Sequence, residues 1–129
     1  MQNALSIVAT LEAPAGEVYR VWTSPATIVA PVIKVKMAAR IGGELALSTG
    51  PTPNDQLRGV FIAVEQAQRL RYTWSWAGSA EETLVTVLFH AVGSSTVVEI
   101  DHRGFLDQTS LDTHRHGWVS YLKGIATYL

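Results

Sequence analysis

After Phe105 the apolar residues of this chain stop recurring at every second position and begin recurring at every third or fourth. Upstream, residues 83–90 and 96–102 alternate apolar with polar side chains, the signature of two strands, and Gly93-Ser94-Ser95 joins them. Downstream, Leu111, His114, Trp118, Leu122, Ile125 and Leu129 fall on one helical face with Tyr121 beside them, while Ser120, Lys123 and Thr127 face away. A long helix that follows a run of strands buries its apolar stripe against their sheet. If that sheet is antiparallel and curved, the two surfaces enclose a space that side chains alone rarely fill. The pattern therefore predicts a chain that holds something apolar.

The upstream residues supply the rest of the sheet. Residues 5–11 read as a first strand. Ala13-Pro14 then opens a short helix, with Pro14 expected at its first helical position, Glu17 favourable in its first turn, and Val18, Val21 and Trp22 as its stripe. Ser24-Pro25 breaks that helix and Pro31 limits any second one. Residues 33–37 alternate Ile33, Val35 and Met37 with Lys34 and Lys36, as a half-exposed edge strand does. Gly42-Gly43 turns into residues 44–48, and a loop from Thr49 to Asp55 follows. Residues 57–64 and 70–76 form a hairpin about Gln66-Ala67-Gln68. The order predicts one α+β domain spanning residues 1–129, built on a curved antiparallel sheet of about six to seven strands, with short helices after the first.

Composition narrows the functional classes. Only 16% of residues are charged, against about 25% in an average domain, so some apolar surface is expected to be covered by a ligand or a second subunit. The net charge is −1 and no cluster of Lys and Arg exceeds two, which argues against nucleic-acid binding and polybasic membrane docking. The chain has no cysteine, which excludes disulfides, thiolate metal sites and cysteine nucleophiles. Neither a secretory signal nor a run of about 18 apolar residues is visible, so a soluble, cytoplasmic protein without membrane insertion is expected.

Strand parity and the helical stripe converge on one chamber. Its expected lining is Phe61, Tyr72, Trp74, Trp76, Val87, Phe89, Ile100, His102, His114, Trp118, Tyr121 and Leu122. The alternative is that these side chains simply fill the core. His102 and His114 are the polar candidates: each could hydrogen-bond a ligand or move a proton, or be satisfied by a neighbouring group. His114 and His116 lie two apart on the helix, about 200° around its axis, so they cannot grip one ion together. No metal and no cofactor is expected. No Gly-X-Ser-X-Gly nucleophile motif or phosphate-binding loop is present, and no residue is assigned a catalytic role.

Seven segments carry a family resemblance in the right order along nearly the whole chain. They are Ala13-Pro14 with Val18-Tyr19-Arg20-Val21-Trp22-Thr23-Ser24-Pro25, Arg40-Ile41-Gly42-Gly43, Gly59-Val60-Phe61, Arg69-Leu70-Arg71-Tyr72-Thr73-Trp74, Thr83-Leu84-Val85-Thr86-Val87, His102-Arg103-Gly104-Phe105 and His114-Arg115-His116-Gly117-Trp118. Together they resemble the activator-of-Hsp90-ATPase-like branch of the START/SRPBCC (Bet v 1-like) superfamily. The resemblance implies a helix-grip fold, a long C-terminal helix held by a curved sheet around a cavity. It implies binding of a small hydrophobic ligand, with a cyclase- or hydrolase-like enzyme using a cavity histidine, or an Hsp90-activator-like interaction protein, as alternatives. Where the family commonly carries aromatic residues after the first helix, this chain has Ile28-Val29-Ala30-Pro31. A differently shaped cavity mouth follows.

Two further expectations concern surfaces. Val60, Ile62, Leu84, Leu88 and Val97 fall on the outer sheet face, where a homodimer contact would explain them and a β-bulge that reverses parity is the alternative. Gly117 and Gly124, seven apart on one side of the helix, are expected to allow close backbone packing.

Overall fold

The computed structural model describes residues 3–129. The elements are β1 (Ala4–Leu11), α1 (Ala15–Trp22), β2 (Lys34–Met37), β3 (Glu44–Ser48), β4 (Gln56–Glu65), β5 (Arg69–Trp76), β6 (Glu82–Val92), β7 (Ser95–Arg103) and α2 (Gln108–Ile125), with single 3₁₀ turns at Pro53–Asp55 and Ala126–Tyr128. All seven strands form one antiparallel sheet in the order β1-β7-β6-β5-β4-β3-β2. The meander is closed by β1 pairing with β7, Leu5 opposite His102 and Leu11 opposite Thr96. Alternation sets the faces: Leu5, Leu70, Val85, Val87, Val98 and Ile100 are almost wholly buried on the inner side.

Two expectations on the helices change. A single helix follows β1; residues 23–33 continue as a strap of turns and extended chain. Pro14 caps α1 from an extended conformation (φ −62°, ψ 151°) instead of starting it. The helix ends are otherwise as the residues dictate. Glu17 and Arg20 complement the α1 dipole, and the Asp107 carboxylate caps α2 by accepting the Ser110 N–H at 2.8 Å. Glu81, on the β5–β6 connection, accepts from Ser110 Oγ (2.6 Å) and the Leu106 N–H (2.7 Å), which seats the start of α2 on the sheet.

A bulge at Ile62 separates the pairs Phe61–Tyr72 and Ala63–Arg71, and it returns Val64 to the inner face opposite Leu70. Beside it, the Val60 N–H turns to the Thr73 hydroxyl (2.9 Å), and a side chain at Gly59 would collide with the Thr73 carbonyl. Val60 and Ile62 remain exposed on the outer face, whereas Leu84, Leu88 and Val97 are half-buried. Charged pairs interleave them, among them Lys36–Glu44–Arg58 and Arg69–Glu65, together with a hydrogen bond between His90 and Glu99.

The two halves of the inner face are covered differently. The α1 helix packs on β6 and β7, and α2 packs on β1. Phe89 takes Tyr19 and Trp22 edge-on, at 5.6 and 5.7 Å between ring centroids, which fills that half. Over β2 to β5, the cover is the strap and one face of α2. Space is left there.

Candidate functional site

That space is a cavity of about 360 Å³, inside the range of roughly 300–1,000 Å³ found for small-molecule pockets. Seven of the residues expected to line a chamber surround it: Phe61, Tyr72, Trp74, Trp76, His114, Trp118 and Tyr121. The other five do not. Val87, Phe89, Ile100, His102 and Leu122 are buried core residues: strand parity selects only a face, and along it α1 covers Phe89 while Trp118 of α2 covers His102.

Sequence reasoning missed the rest of the wall. Val35 and Met37 on β2, and Leu45 and Leu47 on β3, point into the cavity; their alternation was visible, but the lysines beside them suggested only an edge strand. Trp22, at the end of α1, forms part of the floor with Phe61 and Tyr72, all three nearly inaccessible to solvent. Val29, Ala30, Pro31 and Val32 contribute from the strap, which has no periodicity to reveal it. The exposed lining residues Ala30, Pro31, Thr113 and Gly117 mark the mouth.

The two glycines of α2 behave differently from each other. A side chain at Gly124 would run into Val29, so this glycine does permit the close approach of strap and helix. A Cβ at Gly117 would meet nothing within 4 Å, because Gly117 borders the cavity. At the C-terminus, the Tyr128 hydroxyl donates to the Ile28 carbonyl (2.9 Å) and accepts the Ile28 N–H (3.2 Å), pinning the strap beside Val29. Tyr128→Phe is expected to cost about 1 kcal/mol, because both bonds are solvent-accessible. Faster amide exchange in residues 27–33, with the sheet unaffected, is the measurement that checks it.

The hydrogen-bond partners of the two histidines fix which ring nitrogen of each donates. The Trp118 Nε1–H donates to His102 Nδ1 at 2.9 Å, so that nitrogen carries a lone pair. The Thr83 hydroxyl donates to the Trp74 carbonyl (3.0 Å), so at 2.7 Å it accepts from His102 Nε2–H. Burial pushes the His102 pKa down to about 3, helped by His114 and opposed by Asp101. The His114 ring centroid lies 5.2 Å away. In His114, Nδ1–H donates to the Ser110 carbonyl (2.8 Å) while Nε2 accepts the Trp76 Nε1–H (3.1 Å). Each basic lone pair is therefore occupied by an indole. His102 is sealed in the core, and His114 stands in the wall.

The rest of the wall is aromatic. Trp22 stacks on Trp118 at 6.1 Å and meets Tyr121 edge-on at 5.0 Å, and Trp74 lies 5.7 Å from Trp118. All four tryptophans of the chain line this one cavity, and no Asp, Glu, Lys or Arg does. Among the described residues, no group of His, Cys, Asp and Glu could hold a metal ion, and no helix is long and apolar enough to cross a membrane.

A curved antiparallel sheet gripping a long C-terminal helix over an apolar chamber defines the helix-grip class of the SRPBCC superfamily. A family model described as activator of Hsp90 ATPase homolog 1-like protein matches residues 12–129, and the chain belongs to that family. Solved structures agree on the fold. Protein MLL2253 from Mesorhizobium loti superposes with a TM-score of 0.83 at 17% identity, covering 96% of this chain and 94% of that one. An HSP90 activator from Plasmodium falciparum, PFC0360w, gives 0.78 at 15% identity over 97% and 94%. CalU16 from Micromonospora echinospora gives 0.78 at 22% identity over 97% and 74%. No curated protein matches the sequence.

Proposed function

We propose that the domain binds a small hydrophobic ligand in the cavity between the sheet and α2. One observation carries this reading: four tryptophans converge on a single uncharged space of about 360 Å³. Aromatic walls of this kind recognise a flat, apolar ring system. The histidines support binding over turnover, since a general base needs an available lone pair and both are hydrogen-bonded to indole N–H groups.

The test is a titration with N-phenyl-1-naphthylamine, a neutral apolar fluorophore. Saturable one-to-one binding is expected, with tryptophan emission quenched as the probe signal grows. Folded protein that shows no saturable binding would overturn the reading. A chaperone-activating role is the second reading, favoured by the family description and by the likeness to the Plasmodium HSP90 activator. Stimulation of an Hsp90 ATPase by the purified domain would support it.

A further inference from the structure

The polar atoms of the cavity wall are almost all committed to the protein. The hydroxyls of Thr27, Thr49 and Thr113 donate to the backbone carbonyls of Val21, Asp55 and Thr109 (2.7, 3.3 and 2.9 Å). The Trp76 and Trp118 N–H groups go to the two histidines. Three donors are left over among the described residues: the buried Trp74 Nε1–H, which has no hydrogen-bond partner, and two phenol hydroxyls. Tyr72, only 4% exposed, accepts a long 3.5 Å bond from Trp22 Nε1, and its own O–H has no acceptor among the described residues. The Tyr121 hydroxyl has no hydrogen-bond partner among them at all.

Both phenols border the same floor. Trp22 touches each of them, through its N–H to Tyr72 and its ring against Tyr121. We propose that Tyr72 and Tyr121 form a pair of hydrogen-bond donors that receives the neutral carbonyl oxygen of an aromatic or polycyclic ketone-type ligand. This assignment rests on the ligand-binding reading and gives it a chemical class.

Three arguments select a neutral carbonyl. First, a buried donor without an acceptor is unfavourable, and a carbonyl oxygen has two lone pairs to receive two donors. Second, burial pushes both phenol pKa values up, and Tyr72 further opposes ionisation of Tyr121, so they stay protonated as donors. Third, no Lys or Arg lines the cavity, so a carboxylate would be buried without a counter-charge. The Trp22 N–H on the Tyr72 oxygen polarises its O–H and strengthens the donor. The oxygen would enter first, with the ring body held between Trp118 and Trp74 below the mouth.

The experiment compares 9-fluorenone with fluorene, which differ by the carbonyl oxygen, as competitors of N-phenyl-1-naphthylamine. Two neutral hydrogen bonds make fluorenone bind on the order of 10- to 100-fold tighter, with its carbonyl stretch shifted to lower wavenumber than in an alkane solvent. The double variant Tyr72→Phe/Tyr121→Phe is expected to keep fluorene binding and lose the preference. Tyr121→Phe alone removes no hydrogen bond among the described residues, so it supplies the test if the Tyr72 substitution impairs folding; part of the preference is then lost. Equal binding of the two competitors by the wild type overturns the donor pair and leaves the ligand-binding reading standing. So does a preference that survives in the variants, or tighter binding of fluorene-9-carboxylate than of fluorenone. Failure of the naphthylamine probe and both competitors to bind overturns the ligand-binding reading itself, and the donor pair with it.

Discussion

His102→Ala is expected to destabilise the domain by about 3–5 kcal/mol, the largest loss from any single polar side chain here. The imidazole is fully buried. Removing it opens a void between α2 and the sheet and leaves the Trp118 N–H without an acceptor. Its second bond, to Thr83, reaches the Trp74 carbonyl, so one ring ties α2 to β5, β6 and β7. Urea denaturation followed by tryptophan emission measures the loss.

The same residue predicts an acid dependence with a defined sign. His102 titrates at about 3 in the folded chain, below its ordinary value of 6.5. The unfolded state therefore takes up this proton first as pH falls. Stability from His102 is full above about pH 6.5 and declines toward pH 3, with a limiting slope of about 1.4 kcal/mol per pH unit. His102→Gln keeps an acceptor for Trp118 and a donor for Thr83 but cannot titrate. It should be less stable at neutral pH and show a shallower decline between pH 6 and 4. Identical slopes in wild type and variant would sink the assignment.

Legibility differed between the sheet and the site for a physical reason. Alternation is local, so residues 83–102 revealed which side chains face inward, and that part of the reading stands: Val85, Val87, Val98 and Ile100 are buried on one face. Depth is not local. Whether an inward residue touches a cavity or a helix depends on where α1 and the strap settle, and for Phe89 that decision is made by Tyr19 and Trp22, about 70 residues upstream. The strap wall was invisible because Val29, Ala30, Pro31 and Val32 follow no period. The pinning of Ile28 by Tyr128 was invisible because it joins residues 100 apart. His102 shows the same division: its inward direction was readable, but its burial beneath Trp118 was not.

The cavity itself is tested most directly at Gly117. On α2 this residue lies three positions after His114 and four before Tyr121, so a side chain there would stand between two that line the cavity. Nothing lies within 4 Å of its missing Cβ. Gly117→Ala is therefore expected to stabilise the helix by up to about 1 kcal/mol, and to leave probe binding intact. Gly117→Phe should also fold, but its ring would occupy the mouth and weaken N-phenyl-1-naphthylamine binding by more than about tenfold, a loss of at least ~1.4 kcal/mol. The contrast separates helix propensity from occlusion, since both variants remove the same glycine and only one blocks the space. If Gly117→Phe folds and binds the probe as well as the wild type, the ligand is held somewhere other than beneath α2, and the aromatic wall is core.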